Sequence, residues 1–241
     1  MKIVGLIPAR AGSKRVLGKN IRQLQRHPLI AYSIRSAIDS QVFDRVIVST
    51  DSEDYASIAR HYGAEVPGLR PAEFAADDSR DIDWIDWTLR GPCEGFDAFA
   101  ILRPTSPFRK AETIQRAWKQ FSEDGKADSL RAVQRVSEHP GKMWTIDGDR
   151  MHPLLPLGPP EAPWHSSATQ SLPPIYVQNA SLEIAWVNTV LTQGSIAGRT
   201  VMPFLTQGDE GFDVNTEKDW LLAELLLSRG EATLPLIQSV V

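Results

Sequence analysis

The sequence predicts an α/β fold in which a mostly parallel sheet is flanked by helices and interrupted by one proline-rich extension. Three observations carry this. Short apolar, β-branched runs of strand length alternate with segments of helical periodicity. The first such run ends at Pro8 and opens directly into a long loop. Eight of the 17 prolines then fall between residues 138 and 176, where the alternation stops.

Residues 2–8 are too short and too apolar for a surface helix and read as a buried first strand. From Pro28, Leu29, Ile30, Ile34, Ala37 and Ile38 recur near helical spacing, and residues 45–49 form a second short strand, completing a βαβ unit. Asp51 or Ser52 is placed to cap a helix over 53–62, accepting from its free N–H groups, and Gly63 supplies the left-handed stop. A third short strand is expected at 64–67. Ile82, Ile85 and Leu89 mark a helix within 80–90, and residues 96–102 form another apolar strand running into Arg103-Pro104-Thr105-Ser106-Pro107. Residues 175–187 read as a strand that returns from the extension, and 216–228 as a last helix capped by Thr216 with Glu217 in its first turn. The domain division expected is an α/β domain over 1–137 and 181–241, with the extension over 138–180.

Composition narrows the function classes. With 42% apolar and 23% charged residues the 241-residue chain can bury a full core, which sets aside disordered and fibrous classes. No run is long enough to cross a membrane, and the amino-terminal apolar run is too short for a signal peptide, so a cytoplasmic protein is expected. The single cysteine, Cys93, excludes an intrachain disulfide and a cysteine-cluster metal site, and reads as structural. A net charge of -4 argues against general nucleic-acid binding, yet the first thirty residues carry seven cations and no acid. A small polyanionic ligand at the amino end fits this asymmetry.

In a parallel sheet the loops at the carboxyl ends of the strands line the ligand crevice, so the loops after residues 8, 49 and 102 should converge. The first, from Pro8 to Asn20, combines Gly12 and Gly18 with Arg10, Lys14, Arg15 and Lys19. Glycine permits positive φ angles that turn successive N–H groups toward one anion, and Arg and Lys add charge-assisted bonds to phosphate oxygens. The loop therefore reads as a triphosphate cradle, against the plainer reading of a solvated basic loop. A P-loop does not match, because Gly12 and Gly18 are separated by five residues and Lys19 is followed by Asn20. A dinucleotide fingerprint fails because Gly12 lacks its Gly-x-Gly partner.

At this loop, Ile7-Pro8-Ala9-Arg10-Ala11-Gly12-Ser13-Lys14-Arg15 with Gly18-Lys19-Asn20-Ile21 closely resembles the opening of the acylneuraminate cytidylyltransferases, the CMP-sialic acid synthetases and their relatives. Phe43-Asp44-Arg45-Val46-Ile47-Val48-Ser49-Thr50-Asp51, Tyr62-Gly63-Ala64-Glu65-Val66-Pro67, Leu69-Arg70-Pro71-Ala72-Glu73 and Pro104-Thr105-Ser106-Pro107 resemble further motifs in the same order. The resemblance implies a Rossmann-like sheet and a Mg²⁺-dependent attack of a sugar hydroxyl on the α-phosphorus of CTP, with pyrophosphate leaving. It implies that Arg10, Lys14 and Lys19 act in catalysis. It places Arg10, Ala11, Gly12, Ser13, Lys14, Lys19, Asn20 and Arg70 at the nucleotide, a surface salt bridge being the other reading of Arg70. It puts Arg103, Thr105, Ser106, Gln178 and Asn179 at the sugar. The magnesium site implied is Asp213 with Asn215, where the family usually shows Asp-x-Asp; the competing reading has Asp213 capping the following helix. Asp219, inside that helix, reads as solvated.

Two departures bear on the acceptor. Arg103 stands where sialic-acid-activating members usually carry Gln, which suggests an extra anionic group on the sugar, a rearranged contact, or a structural partner for a carboxylate at the sheet end. In Tyr176-Val177-Gln178-Asn179-Ala180-Ser181, Val177 and Ala180 replace an expected Arg and Gly. None of the five histidines lies in the crevice loops, so no catalytic base is assigned. Trp84, Trp87 and Trp118 read as core or interface, and the extension holding Trp144 and Trp164 reaches a second subunit in relatives, which implies a homodimer. The leading expectation is a CMP-sugar synthetase using CTP and a nonulosonic acid, with no nucleic-acid or membrane partner. The alternatives are the same chemistry with another NTP or a sugar 1-phosphate, and an inactive relative that binds a nucleotide or a partner.

Overall fold

A computed structural model describes residues 1–12 and 16–237. In chain order it contains β1 (Ile3–Pro8), β2 (Gln23–Leu24), β3 (His27–Pro28), α1 (Leu29–Asp39), β4 (Arg45–Ser49), α2 (Glu53–His61), α3 (Asp81–Arg90) and β5 (Ala98–Ile101). There follow α4 (Ala111–Asp124), β6 (Ser129–Arg135), β7 (Trp144–Asp147), β8 (Arg150–Pro153), β9 (Tyr176–Trp186), α5 (Val187–Gln193), β10 (Val201–Leu205) and α6 (Glu217–Ser228). Six strands form the main sheet in the order β10-β6-β9-β5-β1-β4. Central β1 pairs in parallel with β4 and β5, with Leu6 opposite both Ile47 and Ile101, while β9 runs antiparallel to β5 with Phe99 opposite Ala185.

The unbroken apolar run of β1 follows from its position. Successive strand residues point to opposite faces, and both faces are covered. Ile3 and Ile7 pack with Ile30, Ile34, Val48, Ala59, Ile114 and Phe121, beneath α1, α2 and α4. Val4 and Leu6 pack on the other side with Ile47, Trp84, Ile85, Leu89 and Val190, beneath α3 and α5. Gly5 admits the Phe43 ring, which a Cβ at that position would approach to 3.1 Å. Ser52 rather than Asp51 caps α2, accepting from the Tyr55 N–H, and Gly63 follows that helix at φ 92°.

Residues 64–67 do not form the full strand expected. Only Glu65 bridges to Ile47, its N–H on the Val46 carbonyl at 2.8 Å and its carbonyl accepting from Val48 at 2.9 Å. Pro67 has no N–H with which to extend the ladder. A further cluster, Val16, Leu24, Leu29, Tyr32, Phe108, Val214 and Trp220, holds α6 against α1 and the loop after β5. Burial pushes the Cys93 thiol up to about 11, which agrees with a structural cysteine.

The chain forms two compact units, Met1–Ala132 with Asn179–Val241, and Val133–Gln178. In the second, β7 and β8 make a hairpin with Ile146 opposite Met151, both exposed. His139 organises its neighbourhood: Nδ1 accepts from the Gly141 N–H at 3.0 Å, Nε2 donates to the Pro173 carbonyl at 3.1 Å, and the ring meets Trp164 edge-on at 5.5 Å. Among the described residues no helix is long and apolar enough to cross a membrane.

Candidate active site

A cleft of about 330 Å³ opens at the carboxyl ends of β1 and β5, with Arg70 to Trp84 completing it. Of the residues expected at the site, Arg10, Lys19, Asn20, Arg70, Arg103, Thr105 and Asn215 line it. Ser13 and Lys14 lie outside the described residues. The basic loop reaches the cleft because β1 ends at Pro8 and its backbone is then held from β4, the Ala9 N–H donating to Ser49 and the Ala11 N–H to Asp51 Oδ1 at 2.9 Å. The glycines divide the work differently from the expectation. Gly18 takes φ 59° and turns the chain into a short helix at Lys19–Ile21, whereas Gly12 has no positive φ and is exposed with open space around it.

The two cradle cations among the described residues, Arg10 and Lys19, are both anchored. Arg10 Nη1 donates to the Ala76 carbonyl at 2.8 Å and lies 3.0 Å from Asp77 Oδ1. Lys19 Nζ donates to the Val214 carbonyl at 2.7 Å, which ties the amino-terminal loop to the segment carrying Asp213 and Asn215. Asn20 is buried, with its amide toward the Arg10 carbonyl at 3.4 Å. Arg70 is not a surface residue. It is 6% exposed, donates to Ser49 Oγ at 2.9 Å and the Ser49 carbonyl at 3.0 Å, and stacks 4.5 Å over Trp84. Burial lowers its guanidinium to about 10.

The cleft is also lined by Arg103, whose Nη2 donates to Asp81 Oδ2 at 2.5 Å and Glu183 Oε1 at 3.0 Å. The second carboxylate oxygen of Glu183 pairs with Arg131. Burial acts to raise the Asp81 carboxyl, but Arg103, the Trp84 N–H and Arg70 together hold it below the ordinary value. Thr105 supplies its carbonyl to the Val214 N–H at 2.8 Å, fixing the loop after β5 to the 213–215 segment. Ser106 does not reach the cleft: its hydroxyl is buried without a hydrogen-bond partner. Asn179 is half-buried and turns its amide to Thr206 Oγ1 at 3.0 Å, and Gln178 is exposed within the other unit.

Asp213 is not the helix cap, since Thr216 caps α6. Its Oδ1 is buried with no hydrogen-bond partner, and Oδ2 accepts from the Asn215 amide. A buried carboxylate oxygen without a donor beside a side-chain amide fits a hard divalent cation, which takes carboxylate and amide oxygens alike. Asn215 would present Oδ1 after an amide rotation. No group of three His, Cys, Asp or Glu converges among the described residues, so any further ligands to such an ion would be nucleotide oxygens and water. Asp219 is no solvated residue: Oδ2 accepts from the N–H groups of Asn215 at 2.9 Å and Thr216 at 2.7 Å. It belongs to the cap that fixes this segment.

The sequence profile of the family described as Cytidylyltransferase matches residues 4–141, more than half of the chain. The chain belongs to this cytidylyltransferase family. It is 36% identical to a CMP-N,N'-diacetyllegionaminic acid synthase of Legionella pneumophila, over 97% of this chain and 100% of that one. It is also 32% identical, over 92% of its length, to an N-acylneuraminate cytidylyltransferase of Escherichia coli, of which it spans 51%. These likenesses make it a nucleotidyltransferase of the acylneuraminate cytidylyltransferase type. The solved CMP:2-keto-3-deoxy-manno-octonic acid synthetase bound to CTP shares the fold, with a TM-score of 0.67 at 14% identity, over 95% of this chain and 100% of that one. The Rossmann-like sheet expected from the sequence is therefore the observed architecture. Asp77, Asp81 and Trp84, which line this cytidylyltransferase's cleft, and Asp51 and Glu183, which bond to residues at it, were not expected there; they come from three separate stretches of the chain that only the fold assembles.

Proposed function

We propose that this cytidylyltransferase joins CTP to a hydroxyl of a nonulosonic acid, giving a CMP-sugar and pyrophosphate. The observation that carries the reading is the Lys19–Val214 tie, which joins the cation loop to the segment bearing Asp213 and Asn215 beside a cleft lined by Lys19, Asn215 and Arg103. In the reaction the acceptor oxygen bonds to the α-phosphorus, the bond from that phosphorus to the β-bridging oxygen breaks, and pyrophosphate departs with the electron pair. The hydroxyl proton passes to solvent. Such displacement depends on positioning and charge neutralisation. Arg10 and Lys19 hold phosphate oxygens, Arg10 exchanging Asp77 for the triphosphate, and Asn20 and Arg70 shape the nucleotide side. Mg²⁺ held by Asp213 and Asn215 would neutralise phosphate charge.

The test is pyrophosphate release by the purified protein with Mg²⁺, each of CTP, GTP, UTP and ATP, and a panel of nonulosonic acids and sugar 1-phosphates. Release is expected with CTP and a nonulosonic acid alone. Release only with another NTP or with a sugar 1-phosphate overturns the substrate assignment, and silence together with no NTP binding overturns the enzymatic one.

We further infer a homodimer working in the cytoplasm, where CTP is made. Support comes from the second unit, where Ile146 is 80% and Met151 52% exposed on one hairpin. Burying two such side chains per protomer contributes about 1.5–3 kcal/mol each. Sedimentation should give twice the 26.8 kDa chain mass, and Ile146→Asp should shift it to the monomer. A monomeric parent protein would sink this assignment.

A further inference from the structure

Beside the cation loop, the cleft carries a charge network around Arg103. Arg103 meets Asp81 and Glu183 through one nitrogen, and Glu183 meets Arg131. These two cations and two anions balance, and Arg70, stacked on Trp84, brings a third cation within the field of Asp81. Glu183 is 5% and Arg131 9% exposed at the side chain, whereas Arg103 and Asp81 keep 30% and 34% and line the cleft. Asp81 is held from behind, its Oδ1 accepting from the Trp84 Nε1–H at 3.0 Å, so its carboxylate has a fixed place. With Nη2 occupied by both carboxylates, Arg103 keeps Nε and Nη1 for a ligand while its charge is offset by the carboxylates it meets.

The pairing decides how an arginine can stand at the acceptor wall of an enzyme whose triphosphate already fills the cleft with negative charge. An unpaired guanidinium would bind any anion, phosphate above all, as a bidentate fork. Paired with Asp81 it still offers donors to a carboxylate or hydroxyl, while the Asp81 charge repels a dianion. We propose that Asp81 is a specificity-determining residue: by neutralising Arg103 it fits the acceptor side to a sugar acid bearing one carboxylate and turns away acceptors that also carry a phosphate. This rests on the reading of the chain as a sugar-acid cytidylyltransferase.

The experiment compares the parent protein, Asp81→Asn, Asp81→Glu and the double variant Asp81→Asn with Arg103→Gln. Each is titrated calorimetrically with a nonulosonic acid and with its 9-phosphate, and each is assayed for pyrophosphate release with CTP. Asn keeps one oxygen for the Trp84 N–H and loses the charge together with the acceptor that Arg103 uses. Asp81→Asn should shift the ratio of the two affinities toward the phosphate ester by about tenfold. Asp81→Glu should keep the parent ratio, and the double variant should lose the shift, since the coupling runs through Arg103. An unchanged ratio in Asp81→Asn, a shift in Asp81→Glu, or a shift that persists without Arg103 overturns the proposal. If the binding ratio moves as stated but the parent releases no pyrophosphate with the acid, the charge assignment holds and the reading of the reaction falls. Binding of neither compound to any of the proteins overturns both.

Discussion

Lys19→Met should lower kcat/KM for pyrophosphate release by about 10²–10³-fold, the size expected when one preorganised donor to a developing charge is removed. The structure gives Lys19 this weight because its Nζ is already placed, 2.7 Å from the Val214 carbonyl, between the phosphate loop and the Asp213–Asn215 segment. A long flexible cation in solution would lose rotamer freedom on meeting phosphate; here that entropy is lost on folding instead. Removing the ammonium also leaves the Val214 carbonyl without its donor, a cost of about 1 kcal/mol, so the melting temperature should fall by only a few degrees. Lys19→Arg keeps the charge but not the compact geometry and should recover part of the rate. Calorimetry with CTP separates the contributions: weaker CTP binding alone marks ground-state contact, and a fall in kcat at saturating CTP marks action on the transition state. If kcat/KM survives Lys19→Met, the residue is a structural tie and no more.

The cation loop was legible in the sequence because everything that makes it is local: an apolar run closed by Pro8, then glycines and cations without an acid. The helix starts were legible for the same reason, Ser52 and Thr216 being caps written beside their helices. What stayed hidden depends on residues that only the fold brings together. Nothing adjacent to Arg10 announces Asp77, and nothing adjacent to Arg70 announces that β4 and Trp84 enclose it. The ambiguity at Arg103 was of this kind. Its sequence context permitted an extra anionic substrate group or a carboxylate partner, and the structure supplies two carboxylate partners, one of them 80 residues away. Arg109 is the extreme case: it is fully buried with no carboxylate, and it spends its donors on the Arg103 and Ser181 carbonyls and the Ser33 hydroxyl. Short-range spacing carries no signal for such a contact.

The second large effect concerns stability. Glu183 is 4% and Arg131 7% exposed, and the two form an ion pair inside the sheet, where Arg131 also donates to the Ile196 carbonyl at 2.8 Å. Burial lowers the Arg131 guanidinium to about 10, so the cation depends on its surroundings to stay charged in the interior. Glu183→Gln keeps the shape and removes the charge, which leaves Arg131 buried without a carboxylate. Breaking a buried pair from one side costs about 3–5 kcal/mol, and at about 2–4 °C per kcal/mol for a chain of this size the melting temperature should fall by roughly 6–20 °C. Arg131→Met should cost less, because Glu183 retains Arg103 at 3.0 Å. The double variant, Glu183→Gln with Arg131→Met, should then be more stable than Glu183→Gln alone, since it replaces an orphaned charge by apolar volume. Urea midpoints for the four proteins read this coupling directly, provided the denaturant slope is unchanged. Additive losses would mean that the two side chains do not depend on each other, and that Arg131 is held by the Ile196 carbonyl rather than by the pair.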